Sequence, residues 1–485
     1  YFTLGKQDLS PFFLNPFEIF EGESITSRVD MIKATMQSSF DMEAAMPQII
    51  EAAAYDVYKK KGWNIKNSQW INPATNKLEN PFVADSFAFP TLNDFIESIE
   101  SVTKEQGFGD KMEAEYLGSL KARLQALLVG AKGMMLNTPR SVDFKKLVTQ
   151  KVVIELEEIK DGAEKSLIMG FIITNLLEAV KYQFNIDNKF QHITLVEEAH
   201  RLLSRYEPGD SPNKKRGVEV FADMLAEVRK YGESLIIVDQ IPNKMTPEVL
   251  KNTNTKIVHK IFAQDDKEAI GNTMALNDDQ KGYMSYLDRG RAIVITEGWK
   301  KPALVQIKQY SYTTGKEEIS TDIIKSKSIK YYQNNYENGV LPNINSFNKN
   351  ISEKDIKNYF MFSEDLVFND LTIIRELFYA LNNKDTALDR KYSIEEIREN
   401  IIKDLVNNNR VIKEYINAGL LDDYIKYLLG RLSVRVNSKE EDLIEKIIMV
   451  IYDIISKSNI SYYNSLGGKN KHELDEAVKE IINEW

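Results

Sequence analysis

Apolar positions recur at three- and four-residue spacing over Arg28 to Phe40, over Pro47 to Lys60, and again from Asp110 to Val129 through Leu117, Leu120, Leu124 and Leu127. That periodicity predicts amphipathic helices. Between them, Gly62 to Pro90 is polar and turn-rich, with Asn-Pro occurring twice, and reads as an excursion. From Lys151 the pattern changes. Short apolar runs alternate with amphipathic stretches: KVVIEL, a helix over 163–183, HITLVEE, a helix over 216–231, SLIIVDQ, then TKIVHKIFA, RAIVITE and ALVQIK. Buried strands alternating with helices predict an α/β domain built on a largely parallel sheet, flanked by helices. Ligands of such sheets sit at the carboxyl ends of the strands.

After Tyr312 the composition shifts. Residues 313–355 are rich in Ser, Asn, Lys and Tyr and read as a linker or arm. The remainder, 356–485, reads as a helical domain, with Ile444, Ile447, Ile448, Ile451, Ile454 and Ile455 in one stripe. The expected organisation is an α/β core over 1–312 with a helical insertion around 28–149, then the linker, then the helical C-terminal region.

Composition narrows the function classes. At 485 residues, 43% hydrophobic and 28% charged, the chain is expected to be soluble and to hold more than one domain. It contains no cysteine, which excludes a disulfide framework, a thiolate zinc site and a cysteine nucleophile, and fits a reducing cytoplasm. A net charge of −9 confines any nucleic-acid contact to a local surface such as a pore. The most apolar stretch, Ser166 to Val180, is interrupted by Asn175 and Glu178 and reads as too short to span a bilayer, so no membrane partner is expected. The opening YFTLGKQDLSPFFLNPF lacks the order of a signal peptide and does not begin with Met, so the chain is expected to be a fragment.

The strongest chemical signal is His192-Ile-Thr-Leu-Val-Glu-Glu-Ala-His200, an apolar strand ending in adjacent carboxylates. Nucleotide hydrolysis needs one acid to hold Mg²⁺ through its waters and another to orient and polarise the attacking water. Glu197 is assigned to the metal and Glu198 to the water, on the expectation that consecutive strand residues point oppositely. The plainer alternative is a strand running into a helix with acids in its first turn. A second strand, Ser234 to Val238, ends in Asp239 and Gln240, whose amide could donate to a γ-phosphate; a simple solvent-facing turn before Pro242 is the alternative. In the helix at 216–231, Val218, Phe221, Leu225 and Val228 form the core face and Gly232 the stop. Arg229 lies off that stripe, as a phosphate-facing or intersubunit residue or as solvated charge. Lys214, Lys215 and Arg216 read as a basic loop after Pro212, for DNA phosphates or a partner, or simply solvated. His192, His200 and His259 match no zinc ligand spacing and are expected to be packed or hydrogen-bonded. No G-x-S-x-G elbow occurs.

In order and spacing, LVEEAHRLLSR, FADMLAEVRKYGESLIIVDQIPNKMTPEVLKNTNTKIVHKI and RAIVITEG with ALVQIK resemble the HerA/FtsK motor superfamily, most closely its HerA-like bacterial ATPases encoded beside nucleases. The resemblance runs from about Tyr1 to Lys308. It implies a RecA-like P-loop NTPase core using ATP and Mg²⁺. Glu197 and Glu198 then fall on the Walker B motif, Gln240 on the phosphate-sensing amide, and Lys251 after a pore loop that touches the DNA backbone. It further implies a homohexamer with DNA through its pore, and a nuclease or NAD-degrading effector as in anti-phage defence. The rival is a non-hydrolysing scaffold that keeps the motor fold. Three departures stand out. No G-x-x-x-x-G-K-[ST] occurs; Gly5-Lys6, Gly130-Ala-Lys-Gly and Gly467-Gly-Lys lack its spacing, and the P-loop is expected upstream of Tyr1. Glu197 stands where Asp is commoner. Lys256, Lys260 and Lys267 stand where relatives often carry arginine, and a lysine lacks the planar fork of an arginine finger. Arg229, Arg289 and Arg291 join Lys267 as finger candidates.

Overall fold

The computed structural model describes residues 1–310 and 320–335, less residues 7, 8, 44, 74, 75, 84–87 and 139. Strand β1 (Phe2–Thr3) leads through buried Phe12, Phe13 and Phe17 to α1 (Ile25–Ser39). Ser24 caps α1 by accepting from the Ser27 N–H, one of the amides a helix start leaves unpaired. In α2 (Met46–Lys60), Pro47 sits in the first turn, where its missing N–H costs no hydrogen bond. The turn-rich excursion folds as a small antiparallel sheet of β2 (Trp63–Asn64), β3 (Gln69–Asn72) and β4 (Lys77–Leu78). Its anchors are two buried indoles: Trp63 donates to the Ala88 carbonyl at 2.6 Å and Trp70 to that of Lys61 at 2.7 Å. α3 (Leu92–Glu105), α4 (Asp110–Ala126), α5 (Gly130–Leu136) and α6 (Phe144–Leu147) follow. Strand β5 (Ile154–Glu155) then pairs parallel with β1.

Helix α7 (Gly162–Ile186) runs through the centre. At 25 residues it is longer than the Ser166–Val180 run and, by length and composition alone, could cross a membrane. Yet 67% of its most apolar window is buried inside the protein, which makes it a core helix. A β-carbon on Gly170 would stand 2.6 Å from Thr35 of α1, so that glycine lets the two helices meet. Next come β6 (His192–Glu197), α8 (Pro212–Glu227) and β7 (Glu233–Val238). Ser211 caps α8 and Pro212 opens it, so Lys214, Lys215 and Arg216 lie on the helix and not in a loop. A single 3₁₀ turn continues α8 to Tyr231, and Gly232 stops it at φ 79°, as the sequence predicts. Any β-carbon there would meet the Phe190 carbonyl oxygen at 2.0 Å.

β6 and β7 are parallel, with His192 opposite Glu233 and Glu197 opposite Val238. Val196 and Ile237 pack inward, against a cluster that includes Leu177, Phe221 and Met274. The other face departs from the expectation of strands buried on both sides: Ile193, Leu195, Ile236 and Val238 are 65%, 56%, 46% and 43% exposed. Beyond lie α9 (Pro247–Asn252), β8 (Lys256–Val258), α10 (Gln264–Thr273), α11 (Asp278–Tyr283), β9 (Arg291–Ile295) and β10 (Ala303–Gln306). β8, β9 and β10 form an antiparallel sheet, the part of the fold that a largely parallel sheet does not cover. The link from β9 to β10 is too short for a crossover and turns at Gly298, φ 85°, so the pair can only be a hairpin.

Within the stretch read as a linker, Thr321–Asn335 forms α12. Its Ile329 and Tyr332 are buried against the N-terminal aromatic residues, and the Tyr332 hydroxyl donates to the Pro11 carbonyl at 2.6 Å. The isoleucine stripe at 444–455 and the rest of 356–485 lie outside the described residues.

Candidate active site

Because β6 and β7 run parallel and in register, the chain leaves both strands at one level, Glu198 from the first and Asp239-Gln240 from the second. Glu197 is the last residue of β6 and is exposed, on the open face with Ile193 and Leu195. Glu198 does not continue the strand. Its backbone is left-handed, φ 54° and ψ 38°, and turns the chain into a 3₁₀ turn, Ala199–Arg201, where a helix start was expected. A non-glycine residue held so costs on the order of 1 kcal/mol, and such strain clusters at working sites. The separation of the two acids therefore comes from this turn, not from strand alternation.

The Glu198 carboxylate is 45% exposed, and its Oε2 accepts from Arg201 Nη2 at 3.1 Å. His200 Nε2 stands 3.9 Å from the same oxygen. His200 is held from behind: Asp239 Oδ2 accepts from its backbone N–H at 2.9 Å and lies 2.8 Å from its Nδ1. The other Asp239 oxygen accepts from the Ile241 N–H at 2.9 Å, and the carboxylate is only 1% exposed. Asp239 is thus spent on joining the two strand-end turns. Sequence reasoning saw it only as a strand end. The findable signal was a histidine three residues past one strand end and an aspartate just past the next. Gln240 follows, exposed.

An exposed carboxylate at the tip of β6 fits a hydrated Mg²⁺, a hard cation that takes oxygen donors and keeps most of its waters. Glu197 fits that task and Asp239, already hydrogen-bonded and buried, does not.

The basic candidates divide. Lys267 is buried, 9% exposed, and donates to Ser285 Oγ at 3.2 Å, so its ammonium is engaged within its own chain. Lys256 is likewise 9% exposed. Its ammonium donates to the Thr253 carbonyl at 2.5 Å, and burial holds its pKa below the usual lysine range. Lys260 is exposed and lies over the Phe262 ring. Arg229, on the 3₁₀ turn after α8, and Arg289 and Arg291, beside the start of β9, are exposed.

Lys214 and Lys215 line a cleft with Thr246 and Glu248 at the start of α9. A hydrogen bond from Thr246 holds the Glu248 carboxyl below its usual range, helped by the charges of Lys251 and Lys215. Lys215 and Lys251, far apart in sequence, therefore share one patch, and Arg216 is exposed beside them. Lys214 is tied to Asp210 at 2.9 Å. The histidines are hydrogen-bonded as expected: His192 Nδ1 to Glu233 at 2.7 Å, and His259 Nδ1 to the Arg291 carbonyl at 3.1 Å.

No family model matches the chain. Among curated proteins it is 27% identical over 245 residues to the DNA double-strand break repair helicase HerA of Saccharolobus solfataricus, covering 49% of this chain and 47% of that protein. To the HerA of Sulfolobus acidocaldarius it is 31% identical over 162 residues, covering 33% of this chain and 31% of that protein. The chain thus spans at most about half the length of these relatives. Among solved structures, VirB4 of Thermoanaerobacter pseudethanolicus is a partial likeness in fold, at TM-score 0.46 and 17% identity over 64% of this chain and 76% of that one. Over the matched residues the chain is similar to the HerA helicases, and it carries its paired acids and strand-end glutamine in the order read from the sequence.

Proposed function

We propose that this chain belongs to an ATP-driven DNA translocase or helicase subunit that works as a homohexameric ring. The observation that carries the reading is the meeting of Glu197, Glu198 and Gln240 at neighbouring ends of two parallel strands in register. Glu198 accepts a proton from the attacking water while the Gln240 amide reports the γ-phosphate. Glu197 holds the waters of Mg²⁺, an ion that neutralises charge on the phosphate oxygens when bound. The triphosphate itself needs a G-x-x-x-x-G-K-[ST] loop, which these 485 residues do not contain; on this reading it is supplied by sequence outside them. DNA passes along the patch of Lys251, Lys215, Lys214 and Arg216, through phosphate contacts that carry no sequence information. A nuclease or NAD-degrading effector in anti-phage defence completes the assembly, by likeness to the HerA-type ATPases encoded beside nucleases.

The test is Glu198→Gln in the full-length natural protein. It should leave ATP binding and oligomer size unchanged and reduce turnover by at least on the order of 10²-fold. Undiminished turnover would overturn the assignment. Nucleotide binding with no turnover in the unmutated protein would instead make it a scaffold that keeps the motor fold.

A further inference from the structure

Glu198 is not the sole acceptor facing the site. Asp239 Oδ2 is an acceptor only, so the proton it meets at 2.8 Å belongs to His200 Nδ1. The tautomer is thereby set, and the lone pair of the neutral ring lies on Nε2, turned toward Glu198. Swinging the ring away would cost buried Asp239 its side-chain donor, leaving each of its oxygens with one backbone N–H. Nε2 and Glu198 Oε2 are 3.9 Å apart, too far for a direct hydrogen bond. A water donating one hydrogen to each, at about 2.8 Å, spans acceptors roughly 4.4 Å apart. A small turn of the exposed Glu198 side chain covers the difference.

We infer that His200 Nε2 is the second acceptor for the attacking water, making His200 a catalytic residue beside Glu198. With both hydrogens taken, the water's two lone pairs face away from the two acceptors, and one of them is free to attack the phosphorus. Glu198 receives the proton as the oxygen–phosphorus bond forms and the bond to the leaving phosphate breaks; His200 orients and keeps its own proton on Nδ1. Arg201, donating to Glu198 Oε2, steadies the carboxylate from the same turn. Through Asp239 the arrangement is joined to the backbone that carries Gln240, so phosphate sensing and water orientation share one support.

This inference rests on the assignment of Glu198, and the test separates the two. In the full-length natural protein, His200→Asn keeps a donor for Asp239 but has nothing at the Nε2 position; His200→Gln has a polar group there but gives up the Asp239 bond. With Mg²⁺·ATP, His200→Asn should lower kcat on the order of 10²-fold at unchanged KM and unchanged nucleotide Kd, and His200→Gln should recover part of the loss. An Asn variant within twofold of wild type, beside an inactive Glu198→Gln, would overturn the role of His200 and leave the function standing. Activity in Glu198→Gln would sink both. Should His200→Asn melt early, His200→Gln decides alone: loss of kcat and nucleotide affinity in parallel would make the histidine a structural prop.

Discussion

Arg28 on α1 donates to Asn175 on α7 at 3.1 Å, in the middle of the most apolar helix in the described fold. The same guanidinium holds both oxygens of Glu23, at 2.9 and 2.8 Å, and the arginine is 1% exposed. Burial pushes the Glu23 carboxyl above its usual range even with Arg28 beside it. The polar break in the α7 sequence is therefore one end of a buried ion-pair network that docks the insertion on the core.

Replacing Arg28 by Met should destabilise the protein by about 3–5 kcal/mol, since it strands a buried carboxylate. The double change Arg28→Met with Glu23→Leu should cost less than the single one, which denaturant unfolding measures directly. A double variant weaker than the single would mean the pair contributes by packing and not by charge.

Lys256 gives a pH-dependent outcome. Burial lowers its pKa, so the unfolded chain binds the proton more tightly. Between the lowered folded value and the unfolded value of about 10.4, stability rises with pH as the folded ammonium is released; below that window the full penalty applies. Lys256→Met should thus raise Tm at pH 7, with the gain shrinking in alkaline buffer. A gain independent of pH would exclude the burial penalty as its source.

For DNA, the shared patch around Glu248 is the place to look. Lys251→Glu and Lys215→Glu should each weaken DNA-stimulated ATPase and make it less sensitive to salt, by about 0.9 in the log–log slope for each phosphate no longer neutralised. Unchanged salt slopes in both variants would move the DNA path elsewhere.

Shared sites between subunits are tested by mixing. One of Arg229→Ala, Arg289→Ala or Arg291→Ala should lose turnover on the order of 10³-fold, as a finger does. Combined with Glu198→Gln subunits it should regain part of that activity. No recovery in any mixture, with mixed oligomers verified by mass, would place the finger in the same chain as the acids.

The alternation of apolar runs and amphipathic helices made the α/β core legible, because period two and period 3.6 report burial directly. They do not report direction, so a largely parallel sheet gave no account of β8, β9 and β10, which pair antiparallel. The Glu197-Glu198 pair was legible as chemistry, but nothing local announces a glutamate at φ 54°. The His200–Asp239 bond joins residues 39 apart, and only strand register brings them together. Lys267 looked available as a charge until α10 packed its stem beside Ser285. In the stretch read as a linker, polar composition masked α12, whose Ile329 and Tyr332 bury one face.

Helix α12 also sets an order of events during synthesis. The Tyr332 hydroxyl closes on the Pro11 carbonyl across 321 positions of chain, and the Phe2 and Phe13 rings meet Tyr331 and Tyr332 edge-on. At about 5–20 residues per second, a ribosome needs on the order of tens of seconds to deliver those tyrosines after the first phenylalanines emerge. Throughout that interval the N-terminal aromatic residues lack the two tyrosine rings that complete their packing in the folded chain.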